Sequence, residues 1–530
     1  IVSSSTINGL SVSKGANSLS NNTTVGDGAL DAVTTGNNNT AVGYNAATAI
    51  TTGGYNSALG DRALNSNTIG LYNVSVGSQC LYSNTEGESN TAVGYQALFA
   101  NTTADYNTAI GSESLEANTT GQYNTAVGSK SLDANTTASR NTAVGYQALT
   151  ENTTGGDNIA IGYNALDANT TASYNTVIGS YAATANTTGA SNTVIGYAAL
   201  GANVTGNYNV AIGQDALNDN TVSNNTAIGF RSARDNTTGV DNTACGFFAL
   251  ISNTDGNRNT AMGSGSLDAL TTGNNNTAIG YAAQTARTTG NDNVAVGAYC
   301  MNAAATANNN TAVGKSAMHD LTTGSENVAL GLNALFACTT GYNNVALGYR
   351  ALDAATTVHS CIAIGYDALG AANTGNSNVA IGRAAMGANT SGGGTAVGSY
   401  AMGANTTGTQ NTAVGYQALD TNTTGSHNTA VGNEALDANT TASYNTALGS
   451  TALQLNTTGG NNTAVGYQAL YANTTNSHNT AIGYQALLNN DAQYNTAVGK
   501  DAVRTNTSGS RLVGVGNRAL YSNTTGNYNH

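Results

Sequence analysis

The five histidines of this chain are its residues best suited to acid–base chemistry or metal binding, but their spacing does not bring them together. His427 and His478 hold the same place in a repeated phrase, yet they lie three repeats apart. A zinc site needs three or four protein ligands around one ion. We therefore interpret the histidines as exposed polar positions: His319, His359, His427, His478 and His530.

Carboxylates recur five residues after a repeated glycine, and two pairs of them occupy successive repeats. Such a pair could hold Ca²⁺ weakly. However, the chain has no GGxGxD calcium phrase and no GxxxxGK[ST] phosphate loop. The sequence therefore predicts a solvated rim that keeps the protein soluble, with no metal site. The column contains Asp31, Glu116, Asp133, Asp167, Asp268, Asp353, Asp420 and Asp437.

The five cysteines are far apart and odd in number, so they do not form a disulfide framework. Each replaces an ordinary residue of the repeat, and we expect small buried apolar side chains. No Ser, Cys, His or carboxylate constellation marks a catalytic centre, so the sequence predicts neither an enzyme nor a cofactor. The cysteines are Cys80, Cys245, Cys300, Cys338 and Cys361.

Composition excludes other classes of partner. The net charge is −13, only 8% of residues are charged, and there is no proline or tryptophan. With four lysines, the chain cannot neutralise a row of phosphates, so nucleic-acid binding is disfavoured. No apolar run reaches the length of a membrane span, so we expect no membrane insertion. Low charge combined with many β-branched residues is also unlike a disordered chain.

A single repeat organises the sequence. Thirty glycines from Gly26 to Gly516 close phrases such as TAVG, and 26 of their 29 spacings are seventeen residues. The other three spacings are sixteen residues. Seventeen residues are too few for a paired-helix repeat. They suit one coil of an all-β parallel solenoid, in which successive coils stack about 4.8 Å apart. Thirty coils would extend on the order of 140 Å.

Asparagine forms two columns in the repeat. Counting from the glycine as position 0, position −4 is Asn in 27 of 30 phrases, and position +7 usually opens an NTT stretch. Stacked amides can hydrogen-bond from coil to coil, so we predict asparagine ladders at two corners. NTT also matches the N-glycosylation pattern, but we favour the structural interpretation. The predicted ladder includes Asn90, Asn107, Asn124, Asn141, Asn158 and Asn175.

Position −2 always holds a small residue. We expect positions −3 and −1 to point into the coil and positions −2 and 0 to point away from it, because side chains alternate along a strand. No charged residue occurs at position −2, so we predict that this face packs against another copy of the chain. The alternative is a flat, dry face of a monomer. The candidate subunit-interface residues include Ala92, Ala109, Ala126 and Ala143.

Tyrosine is the one aromatic residue used in quantity, with 27 copies. Eleven follow the glycine directly and eight lie five residues before it. Both columns also accept small polar or charged residues, so they are at least partly exposed. Exposed tyrosine can stack on sugars or proteins, although a tyrosine ladder shielding the sheet explains any single residue equally well. Candidate exposed aromatics include Tyr95, Tyr146, Tyr163, Tyr416, Tyr467 and Tyr484.

The phrases NTAVG, NVAIG and SVSVG resemble the repeat of the head domain in trimeric autotransporter adhesins. That resemblance implies a left-handed parallel β-roll, and three chains packed around a threefold axis through small residues. The seventeen-residue coil and its NTTG insert differ from the somewhat shorter repeat of those heads. The opening TINGLSVSKGANSLSNNTTVG and the AVGYQAL and NTTGxYNTAVG phrases are similar to repeats in tail-fibre or appendage proteins of tailed phages, notably those of marine cyanobacteria.

We therefore expect residues 1–20 to form an N-terminal junction or cap, and residues 21–530 to form one continuous array that extends beyond this segment. The first functional hypothesis is an extracellular structural shaft of a virion appendage or cell-surface filament, assembled as a homotrimer. The second is an adhesin whose repeats bind a host-surface glycan or receptor. Ice binding ranks third, because the threonines at position −3 are expected to face inward and the NTT column breaks down between Gly263 and Gly365.

Overall fold

The computed structural model describes residues 4–7, 10–19, 21–371 and 375–529. The chain is a parallel β-solenoid of about 29 turns with about 17 residues per turn, which confirms the predicted fold class. The only helical element among the described residues is a 3-10 turn at Ala16–Ser18. None of the helices in this part of the chain is long and apolar enough to cross a membrane. The chain divides into two compact units, residues 1–264 and 265–530.

The first unit begins with a hairpin and continues as stacked coils. Its described strands are β1 (Ser4–Ile7), β2 (Leu10–Ser13), β3 (Thr23–Val25), β4 (Thr40–Val42), β5 (Ser57–Leu59), β6 (Val74–Val76), β7 (Thr91–Val93), β8 (Thr108–Ile110), β9 (Thr125–Val127), β10 (Thr142–Val144), β11 (Ile159–Ile161), β12 (Thr176–Ile178), β13 (Thr193–Ile195), β14 (Val210–Ile212), β15 (Thr226–Ile228), β16 (Thr243–Cys245) and β17 (Thr260–Met262). Strands β1, β2 and β3 pair antiparallel in succession. From β3 onward each strand pairs in parallel with the next, in register.

The second unit consists of stacked coils of the same kind. Its described strands are β18 (Thr277–Ile279), β19 (Val294–Val296), β20 (Thr311–Val313), β21 (Val328–Leu330), β22 (Val345–Leu347), β23 (Ile362–Ile364), β24 (Val379–Ile381), β25 (Thr395–Val397), β26 (Thr412–Val414), β27 (Thr429–Val431), β28 (Thr446–Leu448), β29 (Thr463–Val465), β30 (Thr480–Ile482), β31 (Thr496–Val498) and β32 (Val513–Val515). Each pairs in parallel and in register with the next. The NTT segment, which could have formed a second strand, is a turn throughout the described residues.

The predicted orientation of the strands is wrong. The residue at position −2 points into the coil, and Ala92, Ala109, Ala126 and Ala143 are completely buried within their own chain. Positions −3 and −1 face outward; Ile110, for example, remains 41% exposed. The physical reason is the narrowness of the coil, because opposite the buried residue of position +4 its interior favours a small side chain, valine at most, as at Val177 and Val194.

The repeated glycine is fixed by both conformation and contact. Gly466 has a φ of +131°, a region that L side chains rarely adopt. A Cβ added there would lie 2.5 Å from the carbonyl oxygen of Gly483 in the next coil. Both the backbone conformation and the close approach of the next coil therefore require glycine at this position.

Three other residues of each coil have left-handed backbone, and glycine takes one of these positions only at Gly28, Gly265 and Gly393. In one coil these are Gln96, Leu98 and Tyr106, with φ of +53°, +52° and +59°. Each such residue costs about 1–2 kcal/mol relative to right-handed backbone. The third of these residues, Tyr106, lies directly before the corner asparagine, Asn107. The cost recurs in every coil, so contacts between coils must offset it.

The sixteen-residue coils keep the strands in register. Val210 pairs with Thr226, and Val379 pairs with Thr395, without a bulge. The residue is missing from the segment between the two asparagine corners, which are five residues apart instead of six. The shortened corner adjusts its hydrogen bond: the Asn220 amide donates to the carbonyl two residues ahead, instead of three. This segment is therefore where the coil tolerates a change of length.

The glycine column gives a first prediction. Gly466→Ala should lower the stability of the second unit by about 3 kcal/mol, because strain at positive φ and overpacking add. Gly387→Ala is the matched control, since Gly387 has no positive φ and a Cβ there would come no closer than 3.3 Å to another atom. Thermal unfolding followed by circular dichroism measures both. Equal melting temperatures for the two variants would contradict the predicted clash.

Candidate functional site

The asparagines at position −4 form a ladder from coil to coil, as predicted, except where Cys361, Gly394 and Leu512 take the position. Asn107 Oδ1 accepts a hydrogen bond from the backbone N–H of Asn124 in the next coil, at 2.9 Å. Asn107 Nδ2 donates to the carbonyl of Gly121, also at 2.9 Å. Both polar ends of the side chain therefore bind the following coil. The same pattern places Asn90, Asn124, Asn141, Asn158 and Asn175 in the ladder, all buried.

The asparagines at position +7 form a second ladder with different bonds. Asn101 Nδ2 donates to Oδ1 of Asn84 in the preceding coil at 2.7 Å, and to its own coil at Ala104 O at 3.1 Å. Ala104 O also accepts from Asn90 of the first ladder at 2.8 Å. One carbonyl thus joins both ladders in each coil. Asn101, which opens an NTT sequence, is completely buried, so the folded chain does not offer it as a glycan acceptor.

A third ladder, at position −6, was not predicted. The side-chain oxygen of Ser139 accepts from the backbone N–H of Gln122 at 3.0 Å. The amide oxygen of Asn207 does the same for Ala190 at 2.7 Å. Serine, asparagine and aspartate share this position in the sequence, and their common ability to accept a backbone hydrogen bond at a turn was the available signal.

The second ladder is interrupted in the second unit, where several successive coils lack asparagine at position +7 and one of them has a buried arginine instead. Arg287 occupies position +7, between Leu270 and Ala304 in the same column. It is completely buried, and its Nη1 donates to Ala307 O at 2.6 Å. Its Nε and Nη2 have no partner, nor does the nearby amide oxygen of Gln284. Burial lowers the pKa of the Arg287 guanidinium to about 9.

The outward strand face is uncharged throughout. We define the outer strand face as positions −3 and −1 of all thirty coils. Position −3 is Thr in 20 coils and otherwise Ser, Val or Ile; position −1 is Val, Ile or Leu except at Cys245 and Met262. Many of these side chains are substantially exposed, such as Leu330 at 50%. Surfaces in water normally mix charges with apolar residues, so this composition reflects a constraint other than solubility.

The predicted exposed tyrosines lie at the surface. Tyr95, Tyr146, Tyr163, Tyr416, Tyr467 and Tyr484 are all between 44% and 49% exposed. Where tyrosines occupy successive coils their rings stack, as Tyr146 does on Tyr163 with centroids 5.3 Å apart. The four described histidines also stack on aromatic rings of adjacent coils, His427 on Tyr444 among them. These contacts make the aromatic columns part of the coil-to-coil stacking.

The acidic column at position +5 is half-buried. Burial, together with the neighbouring charges of Asp420 and Glu434, raises the pKa of Asp437 to about 6. Burial likewise raises the pKa of Asp133 and of Asp167. Among the described residues, no group of three or more His, Cys, Asp or Glu side chains is placed to hold a metal ion.

The cysteines are free, and four of the five are buried as predicted. Burial raises the pKa of the Cys300 thiol to about 12 and that of Cys338 to about 11. Cys245 differs because it stands on the outer strand face and is partly exposed.

The buried arginine gives a second prediction. Arg287→Met should raise the stability of the second unit by about 1–3 kcal/mol, because it removes a buried charge with unsatisfied donors and keeps a side chain of similar length. The exposed Arg62→Met is the control and should change little. Denaturant unfolding measures both. A loss of stability in Arg287→Met would show that the guanidinium makes a stabilising interaction.

The raised pKa of Asp437 gives a third prediction. A folded-state pKa above the unfolded value means that stability falls as pH rises from about 4 to about 6. Asp437→Asn should therefore gain about 0.5–1 kcal/mol at pH 7, a value reduced for partial exposure. The gain should vanish at pH 3, where the carboxyl is protonated in both states. Melting temperatures across pH 3–8 test this, with the exposed Asp241→Asn as control; a gain that is independent of pH would contradict it.

The comparisons with known proteins do not assign the chain to a family. A scan against protein-family models gives no match, and a search of curated proteins finds no significant match either.

Proposed function

We propose that this chain is a structural shaft segment of an extracellular appendage, such as a virion fibre or a cell-surface filament. The observation that carries the proposal is the set of side-chain ladders, which bind most coils to the next by the same hydrogen bonds. Stability in such an array is a sum of nearest-neighbour terms, so length can be added without a new core. The resemblance to phage fibre repeats supports the same role.

The outer strand face supports assembly with further copies of the chain. An aliphatic side chain about 40% exposed leaves roughly 40 Å² accessible, so the fifteen coils of one unit offer on the order of 600 Å² at position −1 alone. With position −3 the face approaches the roughly 800 Å² per partner that stable interfaces bury. A second copy has the same axial repeat, so its coils match coil by coil. We propose a homotrimer on this face, instead of on the buried alanines.

The mass of the full chain in solution tests this proposal. Light scattering and sedimentation should give three times the chain mass. A double variant, Ile161→Lys with Ile195→Lys, should return the single-chain mass, because it places charge on the outer strand face. Tyr174→Lys is the control, since Tyr174 is 66% exposed and lies outside that face. A single-chain mass for the unaltered protein at all concentrations would refute self-assembly.

Ice binding is a second candidate, and the strand orientation favours it. The threonines of position −3 face outward, in register, beside the aliphatic column of position −1. β-Branched side chains are stiff at χ1, so such a face is pre-ordered. Thermal hysteresis of the full chain tests this candidate, with Thr125→Lys and Thr142→Lys as variants. A single-chain mass together with hysteresis that these variants abolish would favour ice binding over self-assembly.

A further inference from the structure

A surface depression lies in the second unit, beside the sixteen-residue coil between Gly483 and Gly499. Its volume is about 310 Å³, within the range typical of small-molecule sites. We call it the notch. It is lined by Ala472, Thr474, Asn489, Asn490, Asp491 and Thr507.

The notch opens where the coil-to-coil bonding of the NTT segment lapses. In the preceding coils the first threonine of the NTT segment donates its hydroxyl to the backbone carbonyl of the threonine at the same position in the next coil. Thr457, for example, donates to Thr474 O at 3.0 Å. The next residue in this column is Asp491, where the other two sixteen-residue coils have Thr221 and Thr390. Its carboxylate instead accepts from Asn476 Nδ2 at 2.9 Å. The threonine ladder therefore stops at Thr474.

The second asparagine ladder stops at the same place. Asn473 lies between two lining residues and is completely buried. Its Oδ1 has no hydrogen-bond partner, since the amide of Asn490 donates to Ala492 O at 2.6 Å in the shortened corner. An unsatisfied buried carbonyl oxygen costs about 1–3 kcal/mol.

We propose that the notch binds an uncharged saccharide. Its lining supplies hydrogen-bond acceptors at Asp491 and Asn489, and donors at Asn489 and Thr474, which suits sugar hydroxyls because they both donate and accept. The methyl group of Ala472 adds an apolar contact for a sugar C–H face. The carboxylate disfavours anionic ligands, and one carboxylate supplies few of the six to eight oxygens that Ca²⁺ requires.

This site would give the shaft an attachment point in addition to its mechanical role. The sugar site rests on the proposed function only for its role as an attachment point on a shaft. The assembly of the shaft does not depend on the sugar site. The mass measurement tests the shaft, whereas sugar binding tests the notch. Failure of one is therefore distinguishable from failure of the other.

Saturation-transfer NMR on the full chain tests the notch, with the methyl glycosides of glucose, galactose, mannose and N-acetylglucosamine as probes. At least one glycoside should receive saturation from the protein. The signal should fall at least fivefold in Asp491→Ala and in Asn489→Ala. Asp219→Ala is the matched control, because Asp219 holds the position of Asn489 in another sixteen-residue coil and makes the equivalent backbone bond.

Three outcomes would overturn the proposal. The first is the absence of transfer to all four glycosides. The second is equal transfer in the unaltered chain and in both variants, which would place the binding elsewhere. The third is an increase in melting temperature on adding CaCl₂ alone that Asp491→Ala abolishes, which would assign the notch to a cation. Thr474→Val, which keeps the shape of the side chain, should also weaken transfer if its hydroxyl donates to the sugar.

Discussion

The fold depends on hydrogen bonds made by buried asparagine amides between successive coils. A seventeen-residue coil encloses little more than alanine and leucine side chains, so apolar burial per coil is modest. Each coil also carries three left-handed residues that cost free energy. The amides offset this cost because they bond in a water-free interior, where a hydrogen bond is strong and a missing one is expensive. Where they are replaced, as at Arg287, polar atoms are left without partners.

The narrow interior also decides which surface the chain presents. Small residues must point inward at position −2, so the branched residues at −3 and −1 are left on the outside. A strand of three residues cannot bury both faces in a single chain. The exposure of the aliphatic side chains is therefore a consequence of coil size. A partner that binds this surface must match its axial repeat, which is fixed by the spacing of the strands.

Much of the fold could be predicted from the sequence, because the period, the glycines and the asparagine columns each have one physical interpretation. The strand orientation could not, since neither face of TAVG is charged and alternation alone does not say which face is inside. The better signal was the size range of each position: position −1 holds Ile, Leu and Met262, whereas position −2 holds nothing larger than valine. The left-handed residues gave no signal, because Gln96 and Tyr106 are ordinary surface types. The notch depends on one missing residue near Asp491, whose effect on neighbouring ladders requires coordinates.

The first asparagine ladder has a direction. Each side chain, such as that of Asn107, binds the following coil with both its oxygen and its nitrogen, while its backbone N–H is bound by the coil before. Where the last coil has this asparagine, a chain synthesised from its N terminus therefore ends in a coil whose free side-chain amide is already positioned for the next coil. Folding can follow translation one coil at a time, with each finished coil serving as the template for its successor, so a long array need not search for its register after release from the ribosome.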